Sequence, residues 1–304
     1  MFRHLSKLLI TACLLLAGAC ARPATDQGIL SPRREFSDGL GRRVNVAFPP
    51  QRIISLAPSV TEALFALGLD DRITAVTSYC DYPAAALQKE KVGDTLHLNL
   101  ERIISLRPDL VVISTASQLE NLTRRLDELA IPVYVVSPRS VTEVASSLRG
   151  LGAATGTEAR AETVASEMER RIGEVQKRLE DVTRPKVLYV LQTSPLITVG
   201  GKTFINDLIV LAGGVSISAA QTADYPQFSR ETAVASKPDV IIAPASHGTE
   251  IVKEESLKHD FAGTPAIARG RIVRVDPDFV DRPGPRLIDG LEQLARGLHP
   301  EKMR

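Results

Sequence analysis

The chain has 304 residues, a length that predicts about two domains. Its content of 44% hydrophobic and 24% charged residues is typical of a soluble globular protein. The formal net charge of +1 argues against a nucleic-acid partner, because there is no excess of Lys and Arg to displace counterions from phosphates. Aromatic residues make up 4% of the chain and Trp is absent, so an aromatic surface for a ligand must come from the five Tyr and eight Phe.

The first nineteen residues have the pattern of an export signal. Two basic residues precede the apolar segment 8–19, which is too short to span a bilayer. Small residues then precede Cys20, as in the lipobox of bacterial lipoproteins. We therefore expect Cys20 to be lipidated and to become the mature N-terminus, with ordinary signal cleavage as the alternative. Residues 20–35 then form a flexible tether, and Cys80 has no cysteine partner.

Strand and helix patterns alternate over residues 36–156, which predicts a parallel, doubly wound sheet. An Asp38-Gly39 turn predicts a hairpin at the start. Ser59 and Glu62 have capping-box spacing, so we expect Ser59 to cap the first helix, which Gly68 ends. The predicted strands are 52–56, 73–76, 111–113 and 133–136, and the predicted helices are 59–67, 118–129 and 141–151.

Two stretches in different halves of the chain share one pattern. Residues 100–113 read LERIISLRPDLVVI, and residues 230–243 read RETAVASKPDVIIA. Each has a Glu seven residues before a Pro-Asp pair, followed by an apolar β-branched run. The pattern predicts a short helix that ends before the Pro, then a buried strand of a parallel sheet. Two copies predict two lobes of like design, although such junctions are common in α/β proteins.

A long charged segment separates the two copies. Residues 158–181 contain no Pro and only one Gly, which predicts a helix of about 36 Å. Such a helix is either a surface helix or a rigid strut, and its central position favours the strut. Residues 276–285 are predicted to be a loop. The other predicted elements of the second half are strands 185–190, 240–242 and 272–275, and helices 204–212, 250–258 and 286–298.

Four short segments resemble those of a known family. They are RIISLAPSVTE at 52–62, CDYP at 80–83, NLE with PDL at 99–110, and RPGPR at 282–286. They resemble the periplasmic binding proteins of cobalamin and iron-siderophore ABC importers, and most of all the cobalamin-binding members. The resemblance covers about residues 36–298. It implies an α/β fold of two Rossmann-like lobes with parallel sheets, joined by one long rigid helix, with the ligand cleft between the lobes.

The resemblance gives each part of the chain a role. The expected parts are a signal peptide at 1–19, a lipidated tether at 20–35, an N-terminal lobe at 36–156, a linking helix at 157–182 and a C-terminal lobe at 183–304.

The resemblance also implies a function in transport. The protein would be a monomer on the periplasmic face of a bacterial membrane, held by its lipid anchor, or soluble in the periplasm if the lipobox fails. It would capture a corrinoid (cobalamin) as transported ligand, use no cofactor, and deliver the ligand to an ABC permease dimer with its ATPase. A ferric siderophore or haem is the alternative ligand. The alternative of another class is an exported two-lobed α/β enzyme, against which the lack of nucleophile, metal and cofactor motifs in the sequence counts.

The candidate site residues follow from the same resemblance. Glu101 and Glu231 match the family's permease-docking positions, or each merely complements the dipole of its helix. Tyrosine rings can bury the apolar face of a corrin or porphyrin, or simply close a core, and Tyr225 stands where a Trp would be expected. The arginines could bind an anionic ligand group or pair with a carboxylate. The expected ligand-binding residues are Tyr79, Tyr82, Thr95, Tyr225, Phe279, Asp281, Arg282 and Arg286.

The histidines show no metal-ligand spacing, so no metal site is expected. His97 or His247 could still reach haem iron from a loop of the cleft.

Overall fold

The computed structural model describes residues 32–94, 97–114, 120–245 and 252–303. Cys20, Thr95 and His247, to which the sequence analysis gave roles, lie outside the described residues. The described residues from Arg33 onward belong to one compact unit. Cys80 is a buried free cysteine. Within the described ranges, no helix combines the length and the apolar character needed to cross a membrane.

A hairpin precedes the first lobe, as the sequence predicts. Strand β1 (Arg33–Ser37) pairs antiparallel with β2 (Arg43–Ala47). The Asp38 carboxylate holds the turn by accepting the backbone N–H groups of Leu40 and Arg42 at 3.0 and 2.9 Å.

The first lobe is a five-stranded parallel sheet in the order β5-β4-β3-β6-β7. Its inner strands consist of β-branched and other apolar residues because helices pack on both faces. The strands are β3 (Ile53–Ser55), β4 (Ile73–Val76), β5 (Glu90–Lys91), β6 (Leu110–Ser114) and β7 (Val133–Val136). The helices are α1 (Pro58–Ala66), α2 (Leu100–Ser105), α3 (Glu120–Glu128) and α4 (Val141–Thr155), and the long helix α5 (Glu158–Arg178) follows.

The second lobe is a four-stranded parallel sheet in the order β11-β8-β12-β13. Its first strand lies inside the sheet, as β3 does in the first lobe, and later strands are added on both sides. The strands are β8 (Lys186–Tyr189), β11 (Val215–Ser216), β12 (Val240–Pro244) and β13 (Ile272–Val275), with a small antiparallel pair of β9 (Gln192–Thr193) and β10 (Leu196–Ile197). The helices are α6 (Phe204–Leu211), α7 (Arg230–Ala235), α8 (Glu254–Asp260), α9 (Pro265–Ala268), α10 (Pro277–Val280) and α11 (Leu287–Leu298).

Helix α5 joins the two lobes as the predicted strut. It packs against α4 of the first lobe and against α6 and α11 of the second. Its Arg171 donates to Asp289 at 2.7 Å and to Glu292 at 2.9 Å, both on α11. The helix ends at Arg178 and not at Asp181 as predicted. The predicted boundaries of the signal peptide, the tether, the two lobes and the linking region remain predictions.

The two copies of the repeated pattern occupy equivalent places in the two sheets. Helix α2 leads into β6, which pairs with β3, and α7 leads into β12, which pairs with β8. Asp109 accepts the backbone N–H of Arg52 at 2.9 Å, and Asp239 accepts that of Lys186 at 3.0 Å. Each aspartate of a Pro-Asp pair therefore fixes the beginning of the neighbouring strand.

The residues before the two prolines differ from the extended conformation that proline favours. Arg107 has φ 46° and Lys237 has φ 52°. Both residues adopt the left-handed α conformation, which ends the helix and reverses the direction of the chain. Their backbone N–H groups donate to Ile104 at 2.9 Å and to Val234 at 3.0 Å, so the helix ends are hydrogen-bonded.

The predicted capping box at the first helix is wrong. The helix begins at Pro58, its N-cap is Ala57, and no side chain caps it. Proline is favoured at this first position because its missing N–H is not needed there. Ser59 therefore lies within the first turn, and Glu62 is engaged elsewhere. Gly68, with φ 74°, does follow the helix end as predicted.

Two other predictions need smaller corrections. The segment predicted as a loop at 276–285 contains the helical turn α10, which Asp276 caps by accepting the Asp278 N–H at 2.9 Å. Helix α8 runs from Glu254 to Asp260, later than the predicted range 250–258.

Candidate functional site

The predicted site residues follow the carboxyl ends of parallel strands, where open α/β sheets form their ligand crevices. Strand β4 leads into the loop of Tyr79 and Tyr82, and β13 leads into α10 and the segment up to Arg286. Strands β6 and β7 end beside Ser114 and Ser137, which line a cavity shared with the second lobe. Both sheets thus direct their carboxyl ends to one region.

The cavity between the lobes has a volume of about 400 Å³ and is open to solvent. Its walls combine apolar rings with hydroxyl and charged groups. They are formed by Ser114, Ser137, Pro138 and Arg139 from the first lobe, and by Lys202, Thr203, Phe204, Asp224, Tyr225 and Pro283 from the second.

A buried ion pair connects the two lobes beside this cavity. Arg286 donates from Nε and Nη2 to the two carboxylate oxygens of Glu62 at 2.9 and 2.6 Å. The Glu62 side chain is only 2% exposed. The same guanidinium lies 3.7 Å from the centre of the Tyr82 ring and 5.2 Å from that of Phe279. Arg286 therefore contacts a carboxylate and an aromatic ring of the first lobe, and an aromatic ring of its own lobe.

Arg282 extends the ion pair into a network. Its guanidinium lies 2.8 Å from Asp81 of the first lobe and 2.8 Å from Asp278 of the second, with Glu62 at 3.6 Å. Burial alone would raise the pKa of Asp81, but the hydrogen bond and charge of Arg282 hold that pKa below its ordinary value. Both arginines thus have carboxylate partners within the protein.

Asp281 lies on the second-lobe side of the cleft with two tyrosines near it. The fully buried Tyr189 donates its hydroxyl to Asp281 at 3.1 Å. Protein atoms surround the carboxyl although part of the residue is open to solvent, and this desolvation raises the pKa of Asp281 to about 6. Burial, with the charges of Asp281 and Asp224, raises the pKa of Tyr225. The Tyr225 phenol is therefore kept protonated.

Three of the predicted ligand residues are tyrosines with exposed side chains. The exposed fractions of Tyr79, Tyr82 and Tyr225 are 54%, 46% and 51%. None of the three closes a core, which was the alternative for each. His97 is exposed and its ring lies 3.3 Å from the Asp94 carboxylate.

Glu101 and Glu231 occupy matching positions at the first turns of α2 and α7. Both are exposed, and the pattern of exposure over residues 101–110 repeats residue by residue over 231–240. Asn99 and Ser229 cap the two helices with their side chains. The Ser229 hydroxyl also donates to Glu231 at 2.7 Å and lowers its pKa. The helix dipole thus favours a negative charge at both positions, and at Glu231 the Ser229 hydroxyl adds a hydrogen bond.

Sequence reasoning missed the residues that hold the network together. The sequence predicts a helix cap at Glu62 and no role for Asp81, Asp278 or Tyr189. Asp81 does lie within the CDYP segment, beside the predicted Tyr82. No local signal marks Tyr189, because its partner is 92 residues away.

The profile of the family described as "Periplasmic binding protein" matches residues 53–279, which include both sheets and all of the described cavity wall except Pro283. The chain belongs to the periplasmic binding protein family. Membership assigns it a substrate-binding role in transport and not a catalytic one. The two lobes, the connecting helix and the cleft are those expected from the sequence.

Relatives with different printed names match this periplasmic binding protein over most of its length. An uncharacterized ABC transporter substrate-binding lipoprotein of Bacillus subtilis, YvrC, is 32% identical over 97% of this chain and 96% of its own. A vitamin B12-binding protein of Photorhabdus laumondii is 32% identical over 82% of this chain and 88% of its own. The solved structure of the periplasmic heme-binding protein RhuT of Roseiflexus has a TM-score of 0.74 with 25% identity, covering 84% and 99% of the two chains.

The ion pair between the lobes predicts a large effect of one substitution. Glu62→Ala leaves the poorly exposed Arg286 without its carboxylate, so it should lower the free energy of unfolding by about 3 kcal/mol or more. Urea denaturation measures the change. Glu162→Ala, which breaks an exposed pair with Arg149, should have a much smaller effect because water screens that pair. Equal losses in the two variants would show that the Glu62 pair does not stabilise the fold.

The raised pKa of Asp281 predicts a pH-dependent effect. Its folded pKa of about 6 exceeds the ordinary value of 3.8, so protonation of this carboxyl favours the folded state. That stabilisation is complete below the ordinary pKa and is lost as the pH rises through about 6. Asp281→Asn has no such loss, so its stability relative to the parent should increase between about pH 4 and about pH 7.

Urea denaturation of both proteins at the two pH values checks this expectation. Tyr189→Phe removes a hydrogen bond that stabilises the carboxylate, so it should raise the pKa of Asp281 further. A constant difference between Asp281→Asn and the parent would contradict the raised pKa.

Proposed function

We propose that this periplasmic binding protein captures a corrinoid, cobalamin, and delivers it to an ABC importer. The observation that carries the proposal is the 32% identity with a vitamin B12-binding protein over 82% of this chain. That alignment is long enough to include both lobes, and a ligand between the lobes needs both.

The chemistry of the cleft supports a large, flat ligand. Three tyrosine side chains near the carboxyl ends of the strands are about half exposed, and their rings can pack on the apolar face of a macrocycle. Tyr225 belongs to the cavity wall itself, together with Phe204 and two prolines. Tyr82 is held in place by the guanidinium of Arg286 on its ring. Tyr79, Phe279, Asp281 and Arg282 complete the proposed ligand surface.

Haem is the second candidate ligand, because the solved haem-binding structure shares this fold at a TM-score of 0.74. A tyrosine phenolate can ligate haem iron. The 32% identity with a vitamin B12-binding protein over 82% of this chain favours the corrinoid. A ferric siderophore is the third candidate ligand, because it offers a less extended apolar face to the tyrosines.

The proposal includes attachment to the membrane through Cys20. The lipobox-like sequence before this cysteine supports it, and the Bacillus subtilis relative is named a lipoprotein. A lipid anchor would keep the binding protein near its permease.

Glu101 and Glu231 are proposed to dock on the permease, one from each lobe. Their matched exposure and matched helix positions support two equivalent contacts with a dimeric partner. A single exposed charge pair contributes about 0–1 kcal/mol, but two charges at fixed positions also set the orientation of the complex.

Titration of the soluble part with cobalamin, haem and a ferric siderophore tests the ligand, because each compound has its own visible spectrum. We expect saturable binding of cobalamin. Tyr225→Ala should weaken it by about 1–3 kcal/mol, because a ring is lost from the cavity wall. Tyr225→Phe is the matched control and should retain most of the affinity, since the ring remains. Absence of cobalamin binding by the parent, or unchanged affinity in Tyr225→Ala, would contradict the proposed ligand or the proposed role.

The docking proposal predicts that substitutions of the two glutamates affect transport without affecting ligand binding. Glu101→Ala combined with Glu231→Ala should leave ligand affinity unchanged and lower uptake, and Lys at both positions should lower uptake further. Glu128→Ala with Glu255→Ala removes one exposed Glu from each lobe outside the repeated pattern and should not affect uptake. Both quantities are measured on the same preparations. Lost ligand affinity would place the glutamates in the cleft, and normal uptake would exclude a docking role.

A further inference from the structure

Two basic side chains from opposite lobes line the cavity between the lobes. Arg139 follows β7 in the first lobe, and Lys202 precedes α6 in the second. Both are exposed, and neither side chain forms an ion pair or hydrogen bond with any other side chain that the structure describes. Asp224 is the one acidic residue of the described wall, so the charged residues of that wall sum to +1.

The neighbouring carboxylates are already engaged by backbone groups. Glu143 accepts the backbone N–H of Arg139 at 2.7 Å, and Asp207 accepts that of Val141 at 2.7 Å. These bonds satisfy backbone N–H groups at the beginning of α4 that have no partner within the helix. The second bond joins α4 to α6 of the other lobe. The side chains of Arg139 and Lys202 thus keep their positive charges facing the cavity without a carboxylate from either helix.

The rest of the wall favours a group attached to an apolar body. Pro138, Phe204 and Pro283 are apolar, and Tyr225 adds an aromatic ring. Arg and Lys in a partly enclosed, apolar setting bind anionic oxygens more strongly than they do in open water. Arg282 and Arg286 are less suited to this task because carboxylates already neutralise them.

We propose that Arg139 and Lys202 form an anion subsite that binds an anionic oxygen group of the transported ligand from both lobes at once. This rests on the proposed function and specifies the ligand class: an apolar macrocycle that carries a phosphate or carboxylate group. In cobalamin that group is the phosphodiester of the nucleotide loop, and in haem it is a propionate carboxylate. When the group is bound, the two basic residues contact it from the two lobes.

Ligand pairs that differ in this group test the proposal. Cobinamide keeps the corrin ring but lacks the phosphodiester, and haem dimethyl ester lacks free carboxylates. In Arg139→Ala with Lys202→Ala, the affinity for cyanocobalamin should fall about 10- to 100-fold, the range expected for lost hydrogen bonds to charged groups. The affinity for cobinamide should not change. If haem is the ligand, the same contrast should appear between haem and its dimethyl ester.

Lys177→Ala with Arg178→Ala is the matched control. It removes one Lys and one Arg from the exposed end of α5, outside the cavity wall, and should leave every affinity unchanged. Equal losses for cobalamin and cobinamide in Arg139→Ala with Lys202→Ala would show a general effect on the cleft and would overturn the subsite. Unchanged affinity for both would overturn it as well.

Inorganic phosphate separates this inference from the proposed function. Amide NMR shifts at Arg139 and Lys202 should change saturably with phosphate in the parent and not in the double variant. A parent that binds neither corrinoid nor haem but shows these shifts would refute the proposed ligands and retain the subsite. Absence of the shifts in the parent would refute the subsite, whatever the macrocycle results.

Discussion

The buried carboxylate of Glu62 is the constraint on which the site depends. A charge that is only 2% exposed must have a partner, and Arg286 of the other lobe supplies two hydrogen bonds. The position of Arg286 in turn places Tyr82 and Phe279, whose rings it contacts. Arg282 adds Asp81 and Asp278 to the same group. The contact between the lobes and the proposed ligand surface thus share one set of side chains, so a change in one affects the other.

The internal repeat explains why the two lobes present similar surfaces. In each, a short capped helix carries an exposed Glu, reverses through a left-handed residue, and continues into a central strand. The aspartates Asp109 and Asp239 then bind the backbone where the neighbouring strand begins. The repeated residues therefore determine the geometry of the sheet as well as the place of Glu101 and Glu231. Conserving that geometry in both lobes is a structural need that exists with or without a docking partner.

The fold was predictable from sequence because its signals are local. The β-branched runs at Val111 and Val240, the Gly68 helix end and the uninterrupted charged segment of α5 each predict an element from adjacent residues. The site was only partly predictable because its contacts are not local. Glu62 and Arg286 are 224 residues apart, and Asp81 and Arg282 are 201 apart. Nothing near Glu62 distinguishes an inter-lobe ion pair from a capping box, so the sequence predicts the capping box, which the structure does not contain.

The absence of Trp gives the cleft a spectroscopic property of its own. Only five tyrosines contribute ultraviolet emission; Tyr225 lines the cavity, and Tyr82 and Tyr189 contact Arg286 and Asp281. Corrins and porphyrins absorb in the range where tyrosine emits, so a bound macrocycle would quench most of this signal by energy transfer. Tyr134 is buried in the first lobe and is not part of the described cavity wall. The intrinsic fluorescence of this protein would therefore report on cleft occupancy through Tyr225 and on the integrity of the fold through the buried Tyr134 and Tyr189.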